Sequence, residues 1–311
     1  ALPISALRED GGVQAYTLTG TGQDLALGQA SADRLLRGAT QIDLAATRRA
    51  GALTLDRFVV ENPQVRARAS GTPAQIDLSA RLANAAILLP DFPGPVEVKG
   101  RIADQSGRYD IALSGTGPGG TSAKVSGSYG AGRADLAITG RAQAALANVL
   151  MHSTQIEGPL AFDLRLSGPF ALNSLSGRVT LSGGRIASPS VGLALQDVAA
   201  AADLSAGRAT ISAEAGVAGG GRLRVAGPIT LRAPFDATLD IGVRAARLRD
   251  PELFDTTLTG DLTMRGPLAG GAQIAGALRL GETELRVPSS GFGPGADLPG
   301  LRHLGDSAAV R

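Results

Sequence analysis

The chain of 311 residues has no cysteine and no tryptophan, only two histidines and two methionines, and 3% aromatic residues. Without cysteine there is no disulfide, no zinc-thiolate site and no thiol nucleophile; an oxidising compartment is permitted but not required. So few rings leave no platform for stacked bases or sugars. The longest apolar runs, such as 85–89 and 198–202, fall far short of the roughly 20 residues of a membrane helix. Neither charge is in surplus: Lys+Arg number 30 and Asp+Glu 28, a formal net charge of +2. The cations are interspersed, and pairs such as Arg66 and Arg68 or Arg222 and Arg224 sit two apart, as on the wet face of a strand. No nucleic-acid partner is expected. The chain opens on A-L-P-I-S-A-L, with no initiator Met and no charged-then-apolar leader, so it is expected to be a piece of a longer protein.

The constellations that carry catalysis are also missing. His152 and His303 stand alone, with no G-x-S-x-G nucleophile elbow and no ligand-spaced partner, so neither a serine hydrolase nor a histidine metal site is expected. Gly115, Gly117 and Gly120 satisfy G-x-G-x-x-G by letter, but Pro118 interrupts them and no helix follows; a turn between strands is expected instead of a dinucleotide site. Lys99 and Lys124 are the only lysines, and neither lies in a phosphate loop. Glu282 and Glu284, at i and i+2 on a strand, share its wet face and read as solubilising charges rather than a glycosidase pair. The expectation is a protein that is not an enzyme, with no catalytic residue, no cofactor and no metal.

What the chain has is glycine (43), proline (17) and 43% hydrophobic residues, arranged with period two. Alternation puts one apolar and one polar face on each stretch of about seven to ten residues, the signature of half-buried strands. The segments V-Q-A-Y-T-L-T-G, Q-D-L-A-L-G, T-Q-I-D-L-A-A, G-A-L-T-L-D-R-F-V-V and Q-V-R-A-R-A-S-G, from Val13 to Gly71, read as successive strands, and 74–82 continues them. Connections so short make neighbours antiparallel. Three prolines break the rhythm at 84–95, a loop and possible domain break. Strands resume at Val96, Tyr109, Ala123 and Arg133. A short helix is expected over 142–151, with Leu146, Val149 and Leu150 at helical spacing, and from Thr154 the meander returns. Pro251 can open a second short helical turn in R-L-R-D-P-E-L-F, and from Pro288 the alternation gives way to a loop. Gly-Pro at Gly94, Gly158, Gly168, Gly227 and Gly266 is expected to mark strand junctions. The fold class is therefore all-β, a long, mostly antiparallel sheet of about eighteen strands with one or two short helices, spanning 1–311 as one elongated region.

The candidate functional residues are the apolar members of the alternation: Val179, Leu181, Ile186, Leu193, Leu195, Ile211, Leu223, Val225, Ile229, Leu231, Leu239, Ile241, Val243, Leu258, Leu262, Leu278 and Leu280. Alternation alone makes them the core of a β-sandwich as readily as the lining of a groove.

Four stretches, 174–198 (S-L-S-G-R-V-T-L-S-G-G-R-I-A-S-P-S-V-G-L-A-L-Q-D-V), 220–229 (G-G-R-L-R-V-A-G-P-I), 250–268 (D-P-E-L-F-D-T-T-L-T-G-D-L-T-M-R-G-P-L) and 274–288 (I-A-G-A-L-R-L-G-E-T-E-L-R-V-P), resemble the TamB / AsmA-like family, inner-membrane subunits of a translocation and assembly module. The resemblance is most specific from about Gly158 to Pro288. It implies a curled, open groove of β-taco or β-helix-like form in the periplasm of a Gram-negative bacterium, held to the inner membrane by an N-terminal helix not in this chain. It implies phospholipid acyl chains as cargo, carried toward the outer membrane, and an outer-membrane barrel of the TamA/BamA type as partner through a segment also not in this chain. Taking an acyl chain into water costs about 0.8 kcal/mol per methylene, on the order of 11 kcal/mol per chain, so a conduit must offer apolar lining at every step. Two other readings remain: a chaperone-like groove for outer-membrane or autotransporter strands, and a structural β-rod or adhesin passenger. Against a closed β-helix, the four asparagines Asn62, Asn84, Asn148 and Asn173 fall at unrelated points and form no ladder.

Overall fold

A computed structural model describes residues 4–10, 12–26, 28–150, 154–189, 192–250 and 254–285. Nineteen strands follow one another: β1 (Ile4–Asp10), β2 (Val13–Gln23), β3 (Ala39–Arg49), β4 (Ala52–Glu61), β5 (Val65–Thr72), β6 (Gln75–Leu82), β7 (Val96–Asp104), β8 (Arg108–Gly117), β9 (Thr121–Gly130) and β10 (Arg133–Gln143), then β11 (Gln155–Glu157), β12 (Pro159–Gly168), β13 (Leu175–Ser188), β14 (Leu193–Ser205), β15 (Arg208–Val217), β16 (Arg222–Thr230), β17 (Asp236–Asp250), β18 (Phe254–Pro267) and β19 (Gln273–Leu285). Apart from β11, each pairs antiparallel with the next, β10 with β12. β11 and β12 run along the same side of β13, interrupted at Gly158, and so occupy one of eighteen positions. β1 and β19 are the outer edges; no pairing among the described residues joins them. The protein is all-β, one long antiparallel sheet not closed into a barrel, as the alternation predicts.

Turn chemistry explains the meander. At one border four connections are two residues long, Ala50-Gly51, Ser106-Gly107, Ala131-Gly132 and Ala206-Gly207, with both residues at positive φ. That is the type I′ hairpin, whose twist matches that of the strands it joins. The same border also carries longer connections, among them 169–174 with a 3-10 turn at Leu172–Ser174 and 231–235, while the opposite border carries helix α1 (Ala30–Leu35) and the 3-10 turns at Ala85–Ile87, Pro118–Gly120 and Ala144–Leu150. Three asparagines organise this border. Asn62 Oδ1 accepts from the backbone of Gln64 and Val65 at 2.8 and 2.7 Å. Asn84 Oδ1 accepts from Ala86 and Gly94 at 3.1 and 3.0 Å. Asn148 holds the backbone of Ile156 through both its amide atoms.

Several local expectations are corrected. Q-D-L-A-L-G is not a separate strand: β2 ends at Gln23 and the chain loops into α1, with Asp24 at a positive φ of 50°. The helix expected over 142–151 is a 3-10 helix, Ala144–Leu150, because Ala142 and Gln143 are claimed by β10, pairing with Leu160 and Pro159. The meander runs on through Arg247–Asp250, the end of β17, paired with Thr257 to Phe254 of β18; the helical turn expected from Pro251 lies outside the described residues. Gly227 is not at a junction but inside β16, at φ +146°, where a Cβ would collide with the Thr238 carbonyl of β17. Only glycine allows that approach. The loop at 84–95 joins two fully paired strands, β6 and β7, so the sheet runs on past it. The G-x-G-x-x-G letters do form the turn between β8 and β9. The loop expected from Pro288, together with His152 and His303, lies outside the described residues.

Buried apolar residues gather in two places. Leu181, Leu195, Val198, Ala215, Val217, Val243 and Ala246 form one cluster with Ala144; Ala134, Leu136 and Leu166 form a smaller one. Among the described residues no helix is long and apolar enough to cross a membrane.

Candidate functional site

The register turns the alternation into rows. One row passes from Leu18 through Leu44, Phe58, Ala69, Leu78, Gly100, Leu113, Val125, Ile138, Leu164, Gly177, Leu204, Ala209, Ile229 and Ala237 to Gly266, each residue the Cα partner of the next. It crosses every strand position from β2 to β18, about 70 Å at roughly 4.8 Å per strand, and holds no polar side chain. A neighbouring row on the same face runs from Leu160 through Leu181, Ala200, Ala213, Val225 and Ile241 to Leu262.

Sixteen of the seventeen candidate residues lie on this face; Leu231 falls just past the end of β16, in the connection to β17. Val179, Ile211, Ile229 and Leu239 stand two residues from members of these rows or in them, and Leu258, Leu262, Leu278 and Leu280 carry the face onto β18 and β19. Ile186, Leu193, Leu223, Ile241 and Leu258 pack against the larger cluster. Their exposure varies along the sheet. Leu181, Leu195, Leu239 and Val243 are buried. Leu278 and Leu280 are exposed, at 42% and 67%. Val179, Ile186, Leu193, Ile211, Leu223, Val225, Ile229, Leu231, Ile241, Leu258 and Leu262 are half-buried. The face is therefore sheltered for most of its length, packed shut around Leu181 and Val243, and open on β19.

The same face extends through the first half of the chain, where the sequence suggested no site. Phe58, Leu78, Leu113, Val125, Ile138 and Leu164 line it there, all half-buried. Their signal was present as alternation, but Ala69, Gly100 and Gly115 leave gaps in the apolar pattern that only the register closes.

The opposite face is ionic. Arg57–Asp43, Arg101–Asp77, Arg165–Asp135, Arg178–Asp203 and Arg244–Asp261 bridge adjacent strands at 2.6–2.9 Å. The hydrogen bonds from Arg178 hold the Asp203 carboxyl below its ordinary value, and the same contact raises the guanidinium. Arg247 grips the buried Asp255 with two bonds, at 2.8 and 2.7 Å, and is raised likewise. Cross-strand pairs of this kind fix register more than they add stability. Glu282 and Glu284 lie on the exposed strand β19. Among the described residues no group of three or more acidic or histidine side chains could hold a metal ion.

No protein family, curated protein or solved structure matches the chain. The site must be argued from its own geometry: an unbroken apolar face about 70 Å long, backed by a charged one, on a sheet whose outer strands β1 and β19 have no further partner among the described residues.

Proposed function

We propose that the chain is part of a lipid-transfer conduit that carries phospholipids between the inner and outer membranes of a Gram-negative bacterium, supporting outer-membrane biogenesis. The observation that carries this reading is the apolar row from Leu18 to Gly266, unbroken across sixteen strand positions. A solvated sheet has no use for such a row unless something apolar lies against it. Acyl chains fit, since Leu, Val, Ile and Ala offer continuous lining without pockets in which a ligand would lodge. In this reading the chain works in the periplasm as a piece of a TamB-like protein, anchored at the inner membrane and joined to a TamA/BamA-type barrel by segments outside this sequence.

A second reading, assistance to outer-membrane strands during assembly, is favoured by β19. Its outer edge has no partner among the described residues, and Ile274, Leu280 and Leu285 are 62%, 67% and 79% exposed, an arrangement on which an incoming strand could pair. Native mass spectrometry of the purified protein separates the readings. Copurifying phospholipid supports the conduit; bound polypeptide without lipid supports the assembly role; a protein empty of both is the outcome expected of a structural rod.

A further inference from the structure

The ionic face changes character over β7 to β10. Arginines such as Arg57, Arg165, Arg178 and Arg244 are matched by a carboxylate on the adjacent strand, whereas Lys99, Lys124 and Arg141, gathered on neighbouring strands, make no side-chain hydrogen bond or ion pair with any described residue. Lys99 and Lys124 are the only lysines in the chain. They fall in one row, Lys99 opposite Ser114 and Ser114 opposite Lys124, followed by Thr139. The next row brings Thr116, Ser122 and Arg141 into line. Two cations thus flank a serine across two strand spacings, about 10 Å, and a third stands diagonal to Lys124. These residues wall a concavity of about 800 Å³.

The surrounding acids do not cancel this charge. Glu97 is matched by Arg81 at 3.3 Å, and Asp77 by Arg101 at 2.9 Å. Asp163, opposite Thr139 at the rim, is the one further carboxylate lining the concavity. Lysine is a compact cation on a flexible four-carbon stem, so two of them can converge on one ion above Ser114. The hydroxyls of Ser114, Thr116, Ser122 and Thr139 supply neutral donors around it, and charge-assisted bonds to an oxyanion are the strong kind. A carboxylate ligand would use two acceptors; three cations set around hydroxyls match the several oxygens of a phosphate better.

We infer that the concavity formed by Lys99, Lys124 and Arg141 is a binding site for a phosphate group, on the face opposite the apolar one and independent of any lipid held there. The phosphate can come from a free anion or from an anionic lipid headgroup at a membrane surface. Isothermal titration calorimetry with inorganic phosphate, and cosedimentation with phosphatidylglycerol or phosphatidylcholine vesicles, distinguish the two. Saturable phosphate binding should weaken about a hundred-fold in the K99Q/K124Q double variant, roughly ten-fold per charge-assisted bond. It should be unchanged in R222Q/R265Q, a control elsewhere on the same face, and tighter in Asp163→Asn. No binding of free phosphate, but lysine-dependent cosedimentation with phosphatidylglycerol and not phosphatidylcholine, upholds the site with the headgroup as its source. Absence of both, or equal losses in the two double variants with circular dichroism unchanged, overturns it.

Discussion

At the scale of single residues, the tight border of the sheet rests on backbone conformations that its own residues do not favour. Ala50, Ala131 and Ala206 sit at φ 49°, give or take a degree, where a Cβ crowds the following carbonyl at a cost of roughly 1–2 kcal/mol. Asparagine tolerates that region better and is the favoured partner of glycine in a type I′ turn. Ala131→Asn should therefore raise stability by about 0.5–1 kcal/mol in urea unfolding; a loss would contradict the turn assignment. Arg178 and Asp203 make a second residue-scale case. Because its folded pKa is depressed, Asp203 contributes stability above its ordinary carboxylate pKa and loses it as pH falls through the lower folded value. The stability gap between the protein and Asp203→Asn should narrow steadily on acidification below that ordinary value. A gap independent of pH would mean that the ion pair does nothing for the fold, which exposure of both partners makes the outcome to beat.

At the scale of elements, strands were legible wherever polar and apolar residues alternated, and the strand positions from Val96 to Arg133 fall within two residues of those expected. Helix propensity misled at 142–151, since pairing of Ala142 with Leu160 outweighs the preference of alanine for helix. Gly-Pro misled at Gly227, where the glycine serves close strand approach instead of a turn. Gly227→Val should cost at least about 2 kcal/mol, from strain at positive φ together with the clash against β17, measurable as a lower urea midpoint. The asparagines were read only as a missing ladder, yet Asn148 closes the connection from β10 to β11 with bonds of 2.7 and 3.1 Å to Ile156. Asn148→Ala should lose about 1–3 kcal/mol by leaving the Ile156 backbone unpaired, with hydrogen exchange of the Ile156 amide accelerated before that of β13.

At the scale of the whole molecule, the sequence reveals the two faces but not their continuity. Period two along each strand makes Val225 apolar-facing and Arg224 polar-facing whatever the neighbours do. That Val225 lines up with Leu160 four strand positions back and with Leu262 two ahead depends on cross-strand register, which turn lengths and bulges set. The bulge at Asp197, φ 51°, and that at Ala245, φ 50°, keep the face aligned past two irregular stretches, and neither residue announces itself in the sequence. Because Val225 is half-buried rather than sealed, Val225→Asp should abolish lipid binding while the protein still folds; unfolding by several kcal/mol would instead mark a closed core.

The most direct test places a photo-activated crosslinking residue at Val225 and Leu18, on the apolar face, and at Arg224 and Thr19, their neighbours on the polar face and far from Lys99 and Lys124. After illumination in cells, mass spectrometry should find phospholipid adducts at 225 and 18 and none at 224 and 19. Equal labelling of both faces, or none on either, would contradict a conduit running along the apolar row.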